Sequence, residues 1–159
     1  MTITSPDMGG LKLRAFEADD LTVISACLQD AVLTVGDMAY LPRERRFALI
    51  VNRFVWESAP DPDQPEGEAC LRVRTGIHFD DVLNVSVIGI PQKSRTRVLE
   101  LLAVEAFPED ETRAAIGLLF AGGGIVRLDV DCINAHLTDV SPPWPARCKP
   151  CHNALDGDT

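Results

Sequence analysis

The chain has 159 residues, 46% hydrophobic and 25% charged, which suits one globular domain with a core able to fold unaided and gives no reason to expect a second domain. Its formal charge of -9 argues against a general nucleic-acid or anionic-membrane surface, because such surfaces draw their affinity from clustered Lys and Arg, although a local basic patch stays open. The opening MTITSPDMGG has neither a positive n-region nor an apolar h-region, and no stretch nears the roughly eighteen uninterrupted apolar residues of a membrane span, so a cytoplasmic protein without a membrane partner is expected.

Residues 1–10 carry Pro, Ser and Gly without periodicity and read as a disordered tail. Leu11 to Phe16 alternates apolar and polar residues, which predicts a short strand with Lys12 and Arg14 on its wet side. Leu21, Ile24 and Leu28 then fall at helical spacing behind Asp19 and Asp20, where the helix dipole favours negative charge, so a helix is expected from Ala18 to about Gln29. Ala31 to Glu57 reads as a long β-hairpin turning at Pro42-Arg43-Glu44-Arg45. Phe47, Leu49 and Val51 alternate with Ala48, Ile50 and Asn52, as a half-buried pleated surface requires. The large apolar groups change parity at Phe54 and Trp56, which suggests a bulge or twist, and Gly36-Asp37 marks a similar break in the first arm.

Ser58 to Ala69, with three prolines and four acids, is too polar and broken to pack and reads as a loop. Leu71, Val73, Thr75, Ile77 and Phe79 give the cleanest two-residue period in the chain, a strand with one wet face. Val85 to Gly89 reads as another short strand and Pro91 to Thr96 as a basic loop. Leu99 to Phe107 has helix-forming composition but the length and flanking turns of a strand, and strand is preferred. Ile116, Leu118 and Phe120 lie in a run apolar on both faces, hence central. Gly122-Gly123-Gly124 reverses the chain into Val126 to Cys132. Ile133, Leu137 and Val140 are spaced for a helical turn, with a continued strand the alternative, and Ser141 to Thr159 is an extended Pro-rich tail that Trp144 would pin to the body. Residues 11–140 are therefore the expected globular domain.

Ile77-His78-Phe79-Asp80-Asp81-Val82 resembles Leu128-Asp129-Val130-Asp131-Cys132-Ile133, and each follows a pair of apolar runs. This suggests two diverged strand-rich halves, roughly Ala31 to Gly89 and Val98 to Val140.

Three residue groups could carry chemistry. Cys148-Lys149-Pro150-Cys151-His152 has the spacing for covalent c-type haem attachment or part of a zinc site. It lacks an export signal and a haem-pocket pattern, and a zinc site would have to draw on His78, His136, Cys27, Cys70 or Cys132, so no cofactor is expected. With five cysteines, mostly inside apolar runs, reduced thiols are expected in place of a disulfide framework. The second group, His78, Asp80, Asp129 and Asp131, would converge if the halves were related by a pseudo-twofold, to hold a cation or do acid-base work. A solvated sheet face is the simpler account. The third is Arg43, Arg45, Arg46, Arg53, Arg72 and Arg74, several of which would line one wet face and grip an acidic ligand. Pairing with Glu44, Glu57 and the 58–69 loop is the alternative. No Ser-His-Asp order or phosphate loop is present.

The stretches LKLRAFEADDLTVISACLQDAV, GDMAYLPRERRFALIVNRFVWE, RTGIHFDDV and FAGGGIVRLDVDCINAHLTDV together resemble an uncharacterised bacterial family, domain of unknown function 2948. The likeness runs from Leu11 to about Val140, leaves Cys148 and Cys151 outside, and implies one complete small domain without an established activity. The expected fold is α+β and mainly β: an antiparallel sheet, sandwich or partial barrel of six to eight strands with one N-terminal helix. The expected role is a non-enzymatic module whose arginine-bearing face meets an acidic ligand or protein, with a sheet edge offering a homodimer contact. The rival is a small enzyme or metal protein using His78, Asp80, Asp129 and Asp131.

Overall fold

The computed structural model of the chain describes residues 3–4, 10–56 and 70–146. Within them the order is β1 (Ile3–Thr4), β2 (Lys12–Ala15), α1 (Ala18–Leu28), β3 (Ala31–Thr34), a single 3-10 turn (Val35–Asp37), β4 (Met38–Leu41), β5 (Arg46–Phe54), β6 (Cys70–Phe79), β7 (Val82–Ile88), β8 (Val98–Pro108), β9 (Ala114–Phe120), β10 (Ile125–Val130), β11 (Ala135–Asp139) and β12 (Trp144–Ala146). The strands form one large antiparallel sheet that does not close into a barrel. Seven strands have five or more residues and five are shorter. The mainly-β, one-helix architecture is the expected one. The 58–69 loop and the tail beyond Ala146 lie outside the described residues.

The hydrogen-bonded path runs β1-β2-β11-β6-β5-β3-β8-β9-β10-β7, with β4 on β5 and β12 on β6. Exchange β3, β5, β6 and β7 for β8, β9, β10 and β11, and the stretch from β11 to β7 reads the same from its other end. Each half makes a meander and then sends its last strand across: β7 pairs with β10, and β11 with β6. The strand order is the one that two halves related by a pseudo-twofold produce, and the two similar hexapeptides sit at its two crossing turns.

Inward positions alternate as the pleat demands. Phe47, Leu49 and Val51 on β5 and Val73, Ile77 and Phe79 on β6 are buried, as are Leu118 and Phe120 on β9 and Val126, Leu128 and Val130 on β10. The helix adds Leu21, Ile24 and Leu28. Its first turn is closed by Asp20, whose carboxylate accepts from the Phe16 and Glu17 amides at 2.9 and 3.2 Å. Packed over β8, its Ser25 hydroxyl accepts from the Val104 amide at 2.9 Å. The ambiguous pattern of Leu99 to Phe107 has a local cause. A register shift between Leu101 and Ala103 leaves Leu102 exposed and moves the buried positions from Leu99 and Leu101 to Val104, and such a parity change mimics helical spacing.

Two local expectations need correction. The helical turn over Ile133 to Val140 is strand β11, whose alternate residues Ala135 and Leu137 are fully buried. No bulge interrupts β5, which pairs with β6 in one register from Phe47 to Phe54; the parity change arises because Arg53 takes the inward place. Within the N-terminal tail, Ile3–Thr4 pairs with Leu13 and Lys12. At the other end Trp144–Ala146 pairs with β6, Trp144 opposite Arg72.

Arg53 is wholly buried and held by Asp139, whose side chain is 4% exposed. Nε and Nη2 donate to the two carboxylate oxygens at 3.0 and 2.7 Å, a bidentate pair. The same carboxylate accepts from the Thr75 hydroxyl at 2.7 Å and the Leu11 amide at 2.8 Å. An ion pair out of water holds its position only while both partners remain. Asp139→Ala should therefore cost about 3–5 kcal/mol in urea unfolding by stranding the guanidinium, whereas Arg53→Met combined with Asp139→Leu should recover most of that loss. Equal losses for the single and double variants would contradict the account.

Candidate functional site

Alternation along β6 turns Arg74, Gly76 and His78 outward, since Thr75, Ile77 and Phe79 are buried. The antiparallel register then fixes their neighbours. His78 lies opposite His136 on β11 and Ala48 on β5, Gly76 opposite Thr138 and Ile50, and Arg74 opposite Asn52. Beyond β11, Arg14 stands opposite His136 and Lys12 opposite Thr138. Partners in register share a face, so Lys12, Arg14, Arg46, Arg74, His78 and His136 lie on the outer surface of β2-β11-β6-β5. No carboxylate occupies the outward positions of these four strands.

Asp80 stands at the end of this surface, on the turn from β6 to β7. Its amide donates to the Asn134 carbonyl at 2.8 Å, and the following Asp81 takes φ 59°, a left-handed conformation that Asp tolerates. Arg46 Nε donates to Asp80 Oδ1 at 2.7 Å, leaving Oδ2 facing His78 Nδ1 at 3.4 Å and His136 Nε2 at 3.8 Å. The two imidazoles stack at 4.7 Å and 20°, with Phe16 edge-on to His136 at 6.4 Å. Asn134 Nδ2 donates to Asp81 Oδ2 at 3.2 Å, which turns its Oδ1 toward His136 Nε2, 2.9 Å away. That orientation makes Nε2 the protonated nitrogen of His136. His78 Nδ1 is buried without a well-aligned hydrogen bond.

These contacts set the charge states. Burial pushes the His78 imidazole below its ordinary 6.5; Asp80 works to raise it, while Arg46 and His136 lower it further. For Asp80 burial works upward, but the Arg46 hydrogen bond and the charges of His78, Arg46 and His136 outweigh it and hold the carboxyl below its usual 3.8. The cluster therefore presents a carboxylate and a neutral His78 near neutrality.

Of the polar quartet, the structure joins His78 and Asp80 and adds His136, while Asp129 and Asp131 go elsewhere. Asp129 pairs with Arg127 at 2.9 Å on its own strand. Asp131 faces Arg45 at 3.9 Å and Arg113 at 3.7 Å. The crossing turns do meet, the Asp131 amide donating to the Asp81 carbonyl at 2.9 Å, but the carboxylates of Asp80, Asp129 and Asp131 turn to different cations. The six arginines also separate. Arg46 and Arg74 stand on the outer face, and Arg43 and Arg45 lie in the β4–β5 turn. Arg53 points into the core, which removes it from any wet surface. Arg72 lies 3.9 Å over the Phe54 ring and donates to the Asn52 carbonyl at 2.9 Å.

Sequence reasoning left Lys12 and Arg14 out of the cationic group and His136 out of the polar one. The alternation around Lys12 and Arg14 was readable; the pairing of β2 with β11 and of β11 with β6, which unites them, is non-local. The cysteines do not join this cluster within the described residues. Cys27 lies partly buried on α1, and Cys132 donates to Asp81 Oδ2 at 3.3 Å, its thiol pushed up by burial and then by Asp81. The Cys70 side chain and Cys148, Cys151 and His152 lie outside the described residues. Two open clefts of about 470 and 430 Å3 flank α1, and neither includes His78, Asp80 or His136 in its lining. No helix among the described residues is long and apolar enough to cross a membrane.

A family model described as "Protein of unknown function (DUF2948)" matches residues 11–152. It extends past the Val140 limit of the resemblance and takes in Cys148, Cys151 and His152. No curated protein and no solved structure matches the chain.

The electrostatics carry a sign that can be checked. A His whose folded value is depressed takes up its proton first in the unfolded chain. Its share of stability is thus full above 6.5 and falls as the pH drops below that value. In an NMR titration of the ring protons, His78 should titrate below 6.5, Asp80→Asn should lower its midpoint further, and Arg46→Gln should raise it. Midpoints unmoved by both substitutions would show that these groups do not sense one another.

Proposed function

We propose that this chain, which belongs to the DUF2948 family, is a binding module whose outer β2-β11-β6-β5 face docks an acidic segment of a partner protein. The observation that carries this reading is the gathering of Lys12, Arg14, Arg46 and Arg74 on one sheet face in a chain of net charge -9. Among the described residues the side-chain cations of Lys12, Arg14 and Arg74 have no carboxylate partner, and all three are exposed. Unpaired cations on a rigid sheet meet a carboxylate without first having to break an internal ion pair, and guanidinium can take it bidentately.

The face also has a suitable period and floor. Outward positions along a strand repeat every ~7 Å, the spacing at which an extended chain repeats side chains on one of its own sides. Between the His78–His136 row and Arg74, Gly76 supplies no side chain, so backbone and the half-exposed Ile50 form the surface there. An extended acidic segment lying across these rows would meet cations at both ends and a shallow apolar step between.

The test uses metal-free protein with a chelator present and poly-L-glutamate as the probe. Wild type should bind at low salt and weaken as salt rises, because the contributing charges are exposed. Arg14→Glu with Arg74→Glu should weaken binding about tenfold, each reversal changing the interaction by ~0.5–1 kcal/mol. Absence of binding at low salt, or equal binding by the charge-reversed chain, would overturn the proposal.

A further inference from the structure

We infer that His78, Asp80 and His136 form a binding site for one divalent transition-metal ion of the zinc and cobalt type, with Asn134 supplying a fourth donor. The inference stands on donor geometry and does not need the acidic partner. Each of the three residues offers one ligand atom, and those atoms all lie within 4.8 Å of one another. A tetrahedral ion with bonds of ~2.0–2.1 Å places its donors about 3.3 Å apart. Asp80 Oδ2 is already 3.4 Å from His78 Nδ1 and 3.8 Å from His136 Nε2, within a few tenths of an ångström of that spacing, and the two imidazole nitrogens, within 4.8 Å of one another, would close by up to about 1.5 Å. Asn134 Oδ1 lies 2.9 Å from His136 Nε2, close enough to share an ion with it.

Three further features fit an ion better than a chance meeting of polar groups. His78 Nδ1 is shielded from solvent yet makes no well-aligned hydrogen bond, and a lone pair at that atom is what a metal requires. Arg46 occupies only Oδ1 of Asp80, fixing the carboxylate while leaving the oxygen that faces the imidazoles free, as a group behind a metal ligand does. Asp81 plays the same part for Asn134 through its 3.2 Å contact with Nδ2. Two imidazole nitrogens with carboxylate and amide oxygens select zinc, cobalt or nickel over calcium and magnesium, which take oxygen alone. To ligate through Nε2, His136 carries its single proton on Nδ1 instead, so the neutral imidazole binds the ion without a net loss of protons.

Cobalt(II) is the probe, titrated into the full chain carrying Cys148→Ser, Cys151→Ser and His152→Gln, so that the C-terminal thiols and imidazole cannot hold the ion. One equivalent should bind with visible d–d absorption and no thiolate charge-transfer band. His78→Gln and Asp80→Asn should each weaken binding by at least about tenfold, with unchanged circular dichroism. As a readout free of substitutions in the site, zinc added to 15N-histidine-labelled protein should shift ring nitrogens of His78 and His136. Loss of cobalt binding in the C-terminally substituted chain, full binding by His78→Gln, or zinc shifts confined to His152 would each overturn the inference.

Discussion

One carboxylate ties together the four strands that make the proposed binding surface. Asp139 on β11 accepts from Arg53 on β5, from Thr75 on β6 and from the Leu11 amide at the entry to β2. These contacts lie beneath the sheet, on the side opposite Lys12, Arg14, His78 and His136. In an antiparallel sheet a slip of one residue sends every side chain to the other face. Apolar burial alone tolerates some repacking, but a buried guanidinium has few alternative places where its donors are met. The pair thus acts as a register pin: it secures which residues face outward by holding what lies inward. The net stability of such a pair is small compared with an apolar substitute, so its value here lies in specifying one alignment.

Local periodicity made much of the fold legible and almost none of its assembly. Leu71 to Phe79 declared a strand because each alternate residue meets the same core, and Leu21, Ile24 and Leu28 declared a helix for the corresponding reason. Arg53 could not be read as interior. Charge is the strongest single sign of exposure, and only the distant Asp139 reverses it. Leu137 keeps phase with Ile133 and Ala135, but the apolar alternation breaks on the C-terminal side, where Asp139 takes the inward place and exposed Val140 completes a helical spacing. His136 went unjoined to His78 because fifty-eight positions separate them, and register across that distance is a property of the whole sheet.

The strand order gives the two crossing turns equivalent places, yet their chemistry has parted. At one, His78 and Asp80 face a second imidazole and Arg46. At the corresponding place on β10, Asp129 is satisfied by Arg127 two residues back, and Asp131 stands half exposed between Arg45 and Arg113. Similar backbone turns therefore do not make the four polar side chains converge. The turns touch through the Asp131 amide and through the Asp81 carboxylate, which accepts from Cys132 and Asn134, while Asp80, Asp129 and Asp131 each face a guanidinium. What distinguishes the first turn is its neighbour β11, which carries His136 directly opposite His78.

Net charge and contact charge give opposite readings of this protein, and distance decides between them. A charge of -9 repels an acidic partner that is far away. At physiological ionic strength, however, an exposed charge is felt over only ~8 Å, so a segment touching the outer face senses Lys12, Arg14, Arg46 and Arg74 more than acids on other surfaces. Adding salt weakens both effects, the distant repulsion first because the charges that cause it are the farther apart. Association should therefore be limited by approach at low salt and by contact at high salt. Composition alone reflects only the first regime. The second belongs to the pairing of β2, β11, β6 and β5, which concentrates on one face a minority of cations that the linear chain spreads over more than sixty positions.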